Sequence, residues 1–195
     1  MNYLGHAFLS FGDGEIVTGN MIADHVKGKL ILEEYPEKIK QGILLHRKID
    51  SFTDAHPATQ RAKVWFREVY GMYAGAIMDV LYDHFLANDA KHFNSEPHLL
   101  AFTQQVYAQL QVNSAYLPQP FASYFPNMQQ HNWLYNYRHV QGVQRSLNGL
   151  KHRAKHIVEV DSAYKIFITY YYQLAQCYYE LIDDVVKYVK IELTS

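Results

Sequence analysis

An all-α, single-domain helical bundle is the fold class that this sequence predicts, on three observations. Apolar residues recur at helical spacing, most plainly Ile157, Val160, Tyr164, Phe167, Tyr171, Leu174, Tyr178, Leu181 and Val185. No strand-length run alternates Val, Ile or Thr with polar residues. The 195 residues, 49% hydrophobic and 19% charged, suit one domain with one sizeable core.

The elements follow in order. Residues 2–11 form a short apolar helix, closed by Gly12-Asp13-Gly14. A second helix runs from about Val17 to Val26 and ends near Gly28. Pro36 is placed as the first residue of a third helix, with Glu37 favourable in its first turn, running to about Thr53. Pro57 restarts the chain, and Trp65, Phe66, Val69, Met72 and Tyr73 make the next stripe, which Gly71 and Gly75 weaken. Another helix covers Ile77 to Leu86. Ser95-Glu96-Pro97 is a helix start leading into Leu99, Phe102, Val106 and Leu110. Pro118, Pro120 and Pro126 make 113–127 a loop or a broken helix. Short helices hold Trp133 to Arg138 and Val143 to Leu147. Residues 151–193 contain no Gly or Pro and read as a helical scaffold, one long helix or two with a kink.

The formal net charge of -1 provides no global field toward nucleic acid or a membrane surface. No stretch approaches the roughly 18 apolar residues of a membrane helix. Cys177 is the single cysteine, which fits a reducing cytoplasm, and the first residues lack the basic start and apolar run of a signal peptide. These features predict a cytoplasmic protein. Its 11 histidines are the informative excess, because imidazole is both a metal ligand and a near-neutral acid or base.

Polar residues interrupt the apolar faces at four places. His46 and Asp50 are four apart and share a helical face, and Asp54 continues the row. They read either as ligands for a divalent cation or as a surface ion pair, with Asp54 capping the next helix. Asp79 and Asp83 stack the same way among Ile77, Met78, Val80, Leu81, Phe85 and Leu86, with His84 beside them. Carboxylates in such company are costly to bury unless paired or bound to metal, so the two either face solvent on an amphipathic helix or serve a metal. Asp24 falls inside an otherwise apolar helix, with Asn20 one turn before it as a cap or supporting donor. His6 lies among Tyr3, Leu4, Ala7, Phe8 and Leu9, where a lone histidine is more often a hydrogen-bonded core residue than a ligand. One bundle interior would have to hide all of them, and helix bundles build carboxylate–histidine metal sites from facing helices. Oxygen and imidazole donors without thiolate favour manganese, magnesium, iron or zinc over a structural zinc site.

In order, Asn2-Tyr3-Leu4-Gly5-His6, Gly19-Asn20-Met21-Ile22-Ala23-Asp24, Gly42 to Asp54 with His46-Arg47 and Ile49-Asp50, His56-Pro57, Asp79-Val80, Asp83-His84-Phe85-Leu86 and Trp133-Leu134-Tyr137 resemble the acyl carrier protein phosphodiesterases. That family is regarded as a divergent relative of the HD-domain phosphohydrolases, so the resemblance implies an HD-domain-like bundle. It covers Met1 to about Leu150; the tyrosine-rich tail matches in helical character alone. Two departures are Gly5, where alanine is expected, and Pro120, where a basic residue is expected.

The resemblance implies hydrolysis of the diester joining 4′-phosphopantetheine to a serine of holo-acyl carrier protein, with a divalent metal, manganese favoured. On this reading Asp24, His46, Asp83 and His84 form the metal shell, with His6 and Asp79 as further candidates. Asp50 is a fifth ligand or orients His46. Arg47 is a candidate phosphate clamp or, about 100° from His46 on the helix, a surface charge, and Asp54 or His56 is a proton relay. Acyl carrier proteins are acidic, so Arg145, Lys151, Arg153 and Lys155, with His152 and His156, form either a candidate docking surface or a solvated basic helix end. Lys27, Lys29, Lys38, Lys40 and Lys48 form a looser basic group. The rival readings are an HD-like phosphohydrolase of a nucleotide or another small phosphoester, and a noncatalytic helical binding protein.

Overall fold

The structure, a computed structural model, describes residues 1–153 and 157–194, without the side chains of residues 29, 30, 152 and 153. Among the described residues every regular element is a helix. α1 is Tyr3–Phe8, shorter than the expected 2–11. Phe11 and Gly12 enter the left-handed region, at φ 49° and 83°, and no helix passes through such a pair. Asp13 then caps α2, Gly14–Ile22, its carboxylate accepting the Glu15 and Ile16 N–H groups. A 3₁₀ turn, Ala23–His25, follows. Asp24 therefore sits on a tight turn beyond the α-helix, not inside it.

After the short α3, Lys29–Leu32, come α4, Glu37–Ala55, and α5, Pro57–Tyr70. The stripe expected to continue to Tyr73 breaks at Gly71, whose φ of 51° ends α5. α6, Ala74–Ala87, is almost wholly buried and touches α1, α5 and two later helices. Ser95 caps α7, Glu96–Val112. α8, Phe121–Gln130, contains Pro126, so the second half of 113–127 is helical. The proline forfeits one backbone bond, while buried Phe121, Phe125 and Met128 hold the helix to the core. α9 is Trp133–Asn136 and α10 Val140–Arg153, longer than the expected Val143–Leu147. α11, Asp161–Thr169, and α12, Tyr171–Thr194, are two helices with the break at Tyr170. On α12, Leu174, Leu181, Val185 and Val189 are buried, each stabilising the fold by roughly 1.5–3 kcal/mol. α12 lies against α4, α5 and α6.

The crossing of α2 and α4 positions the site. A Cβ on Gly19 would lie 2.0 Å from the Ile39 carbonyl oxygen, and one on Gly42 2.3 Å from that of Ile16. Only two glycines let these backbones come so close. Their approach carries Asn20 against His46. No helix among the described residues is long and apolar enough to cross a membrane.

Candidate metal centre

His6 on α1, and His46 and Asp50 on α4, bring one ligand atom each to within 4.8 Å of one another. The two imidazoles are buried and stacked, with centroids 3.8 Å apart and planes inclined by 14°. Asn20 orients both. Its side-chain oxygen lies 2.8 Å from His6 Nδ1, and its backbone oxygen 2.8 Å from His46 Nδ1. The Asn20 amide nitrogen donates to the His6 carbonyl and to Ser10 Oγ, which turns the amide oxygen toward His6. Both Nδ1 atoms therefore donate, and the Nε2 lone pairs point outward in the neutral rings.

Those lone pairs meet oxygen. His6 Nε2 is 3.2 Å from Asp50 Oδ1, His46 Nε2 is 3.2 Å from Asp50 Oδ2, and His46 Nε2 is 3.3 Å from Asp24 Oδ1. Yet His6 Nε2, His46 Nε2 and Asp50 Oδ1 are buried with no hydrogen-bond partner. Acceptors facing acceptors at this range repel unless a cation lies among them. Burial pushes the His46 imidazole down, but Asp24 and Asp50 more than offset it and raise the group to about 9. Burial, then the neighbouring His46, lowers His6 to about 4. Burial pushes Asp50 up, and the two imidazoles outweigh it and hold the carboxyl well below its usual range. Positive charge is thus favoured at this point whether a proton or a metal ion supplies it. Two nitrogens and two carboxylates, without thiolate, fit a divalent first-row ion.

These groups line a cavity of about 640 Å³, together with Tyr3, His25, Tyr73 and Asp79. Asp79 sits beside the cluster, its Oδ1 2.7 Å from the Met1 ammonium, which is itself 3.8 Å from Asp50. Burial pushes the Asp79 carboxyl up to about 6, against the pull of that ammonium.

Two expected ligands lie elsewhere. The carboxylate of Asp83 is fully buried and accepts the N–H groups of Asn2, Leu4 and Gly5 at 3.1, 2.7 and 3.0 Å. It anchors the N-terminus of α1, which holds His6 in place. His84 Nδ1 bonds the Tyr137 carbonyl at 2.7 Å, and its Nε2 the Tyr171 hydroxyl at 3.0 Å. One residue is about 100° of helix turn, so His84 leaves α6 toward α12 while Asp83 faces α1.

The expected catalytic partners also disperse. Arg47 is exposed and donates to the Val26 carbonyl at 3.1 Å. Asp54 pairs with Lys63 at 2.6 Å, one turn beyond the cluster. The His56 Nδ1 caps α5 by accepting the Ala58 N–H. Of the basic residues, Arg145 lines a neighbouring cavity and Lys151 is exposed on α10. The side chains of His152 and Arg153, and residues Lys155 and His156, lie outside what the structure describes. In the looser group, Lys38, Lys40 and Lys48 pair with Asp13, with Glu33 and Glu37, and with Glu192. Sequence reasoning gave no role to His25 or Tyr124, whose ring nitrogen and hydroxyl lie 2.7 Å apart beside the cluster.

Fold and site define an all-α protein whose helices turn two histidines and two carboxylates into a solvent-reached cavity. The family model described as acyl carrier protein phosphodiesterase matches residues 1–185. A protein of that name from Enterobacter sp. (strain 638) is 30% identical over 171 residues, 88% of each chain. Those from Salmonella paratyphi A (strain ATCC 9150 / SARB42) and Salmonella agona (strain SL483) are 32% identical over 153 residues, 78% of this chain and 79% of theirs. No solved structure matches. The chain belongs to the acyl carrier protein phosphodiesterase family, a family of phosphoric diester hydrolases.

Proposed function

We propose that this enzyme is a metal-dependent phosphodiesterase acting on holo-acyl carrier protein in the cytoplasm. Water cleaves the diester between the carrier serine and 4′-phosphopantetheine, giving apo-acyl carrier protein and free 4′-phosphopantetheine. The observation that carries the reading is the convergence of His6 Nε2, His46 Nε2 and Asp50 Oδ1, buried and unpartnered, at the wall of a cavity. His6, His46, Asp50 and Asp24 would hold a divalent ion, with manganese favoured and magnesium, iron or zinc as the other candidates. Such an ion supplies an acidified water and neutralises charge on the phosphoryl oxygens.

The chain's own groups do the positioning. Asn20 keeps both Nδ1 atoms protonated and both Nε2 atoms free to ligate. Asp50 reaches both imidazoles, so it locks their spacing. Asp24 is the exposed edge of the set, where a substrate would arrive. Arg145 and Lys151 on α10 are the described part of a basic surface for the acidic carrier protein, where charge raises the encounter rate.

The test incubates holo-acyl carrier protein with manganese and follows its conversion to the apo form by mass spectrometry. Wild type converts it, chelation stops conversion, and manganese restores it. His46→Ala and Asp50→Asn abolish it. Unchanged turnover in both variants removes the site; turnover of nucleotides alone removes the substrate.

A further inference from the structure

A second cavity, of about 720 Å³, opens beside the first, and Asn2 and Tyr3 line both. Its size is that of a small-molecule cleft, roughly 300–1,000 Å³. The Tyr124 hydroxyl joins the two spaces, 2.7 Å from the Tyr3 hydroxyl and 2.7 Å from His25 Nε2. On the far side Tyr124 stacks with Trp133, centroids 6.0 Å apart and planes inclined by 12°. The opposite wall is one face of α10, where Gly142, Arg145, Ser146 and Gly149 recur at helical spacing. A Cβ on Gly142 would lie 1.8 Å from the Asn136 carbonyl oxygen, so glycine brings that face against α9.

The lining decides the chemistry. Aromatic rings supply stacking area, and Asn2, Asn136 and Ser146 supply uncharged hydrogen-bonding groups. Arg145 is the one arginine or lysine among the described residues lining either cavity. Such walls suit a long, flexible, uncharged chain with amides and apolar segments better than a second cluster of phosphates. A phosphodiester seated at the His6–His46–Asp50 cluster has two ester substituents. In the reaction proposed above, one is a serine on a folded protein, too large for either cavity. The other is the pantetheine arm, an uncharged chain with two amides ending in a thiol.

We infer that the cavity between Tyr124, Trp133 and α10 binds the pantetheine arm of the substrate, which directs the diester to the neighbouring cluster. The inference rests on the proposed reaction for the identity of the arm. It accounts for the position of Ser146, which the metal cluster leaves without a task, and places the arm next to Arg145 of the proposed carrier-protein surface.

The test titrates pantetheine, which carries neither phosphate nor protein, into the full chain by calorimetry. Wild type binds it. Ser146→Trp fills the cavity and weakens binding by about tenfold or more. Gly149→Phe does the same from a position where an added Cβ meets nothing within 4 Å, so it decides the matter if Ser146→Trp fails to fold. Both variants also raise the KM for holo-acyl carrier protein. Absence of pantetheine binding to wild type, or equal binding by wild type and a folded variant, overturns the inference. The readout does not depend on turnover. Pantetheine bound in this cavity without hydrolysis of the holo-protein supports the cleft and sinks the proposed reaction. Hydrolysis without pantetheine binding sinks the cleft and leaves the reaction standing.

Discussion

His6 and His46 lie face to face on separate helices, ring centroids 3.8 Å apart, and both direct Nδ1 at Asn20. The two contacts differ in kind: His6 meets the side chain of Asn20, His46 its backbone carbonyl. A substitution at one position therefore separates the two supports.

Asn20→Ala removes the partner of His6 and leaves that of His46. Losing a supporting hydrogen bond of this type costs about 10–100-fold in metal affinity. The buried His6 N–H left unpaired costs about 1–3 kcal/mol of stability. Manganese titration and urea unfolding read the two effects. Undiminished manganese affinity in a folded variant would show that His6 needs no such support.

His84→Ala and Asp50→Asn should part company. His84 has both ring nitrogens bonded and packs against Phe85, Phe167 and Tyr171. Its loss costs stability, on the order of 2–4 kcal/mol, and leaves metal content at wild-type level in the folded fraction. Asp50→Asn loses the metal. Elemental analysis of purified protein decides, and metal loss in folded His84→Ala would return that histidine to the site.

Glycine substitutions should have opposite signs at two places. Gly19→Ala drives a methyl group to 2.0 Å from the Ile39 carbonyl oxygen. α2 and α4 must separate, at a cost above about 3 kcal/mol. Gly149→Ala, within α10 and with nothing within 4 Å of the new Cβ, stabilises by about 0.5–1 kcal/mol. Thermal unfolding of the two variants measures both.

Acid should weaken the start of α2 through Asp13. Its carboxyl is held below the ordinary 3.8 first by Lys38, which outweighs the opposing effect of burial, and then by the Ile16 and Glu15 N–H groups. A carboxylate lowered in the folded state contributes stability above its unfolded value. That contribution is lost as pH falls through and below about 4. Asp13→Ala should therefore lower stability at pH 7 by about 1 kcal/mol and flatten the acid limb of the stability curve. A parallel curve for the variant would place the acid sensitivity elsewhere.

The α4 row shows how far spacing carries. His46 and Asp50, four apart, were legible as a pair, and the structure brings them together at 3.2 Å. Asp79 and Asp83 have the same spacing and separate fates. Spacing tells which side chains share a helix face; it does not tell what lies against that face. Along α6 the neighbour at Asp83 is the open N-terminus of α1, whose N–H groups take the carboxylate first. Adjacency misled in a similar way at His84, which turns about 100° from Asp83, whereas the same turn between His46 and Arg47 is what made Arg47 readable as a surface charge. Pro126 suggested a break, but buried Phe121 and Phe125 before it and Met128 after it outweigh one missing backbone bond.

By itself the sequence determined the helical class, the helix start at Ser95, and the order of the motifs that place the chain in its family. These follow from periodicity and local hydrogen bonding, which act within a few residues. The tertiary structure alone decided which polar groups meet. Lone pairs acquire partners through space, so the approach of α2 and α4 at Gly19 and Gly42, and the capture of Asp83 by α1, selected His6, His46, Asp50 and Asp24 from a longer set of candidates.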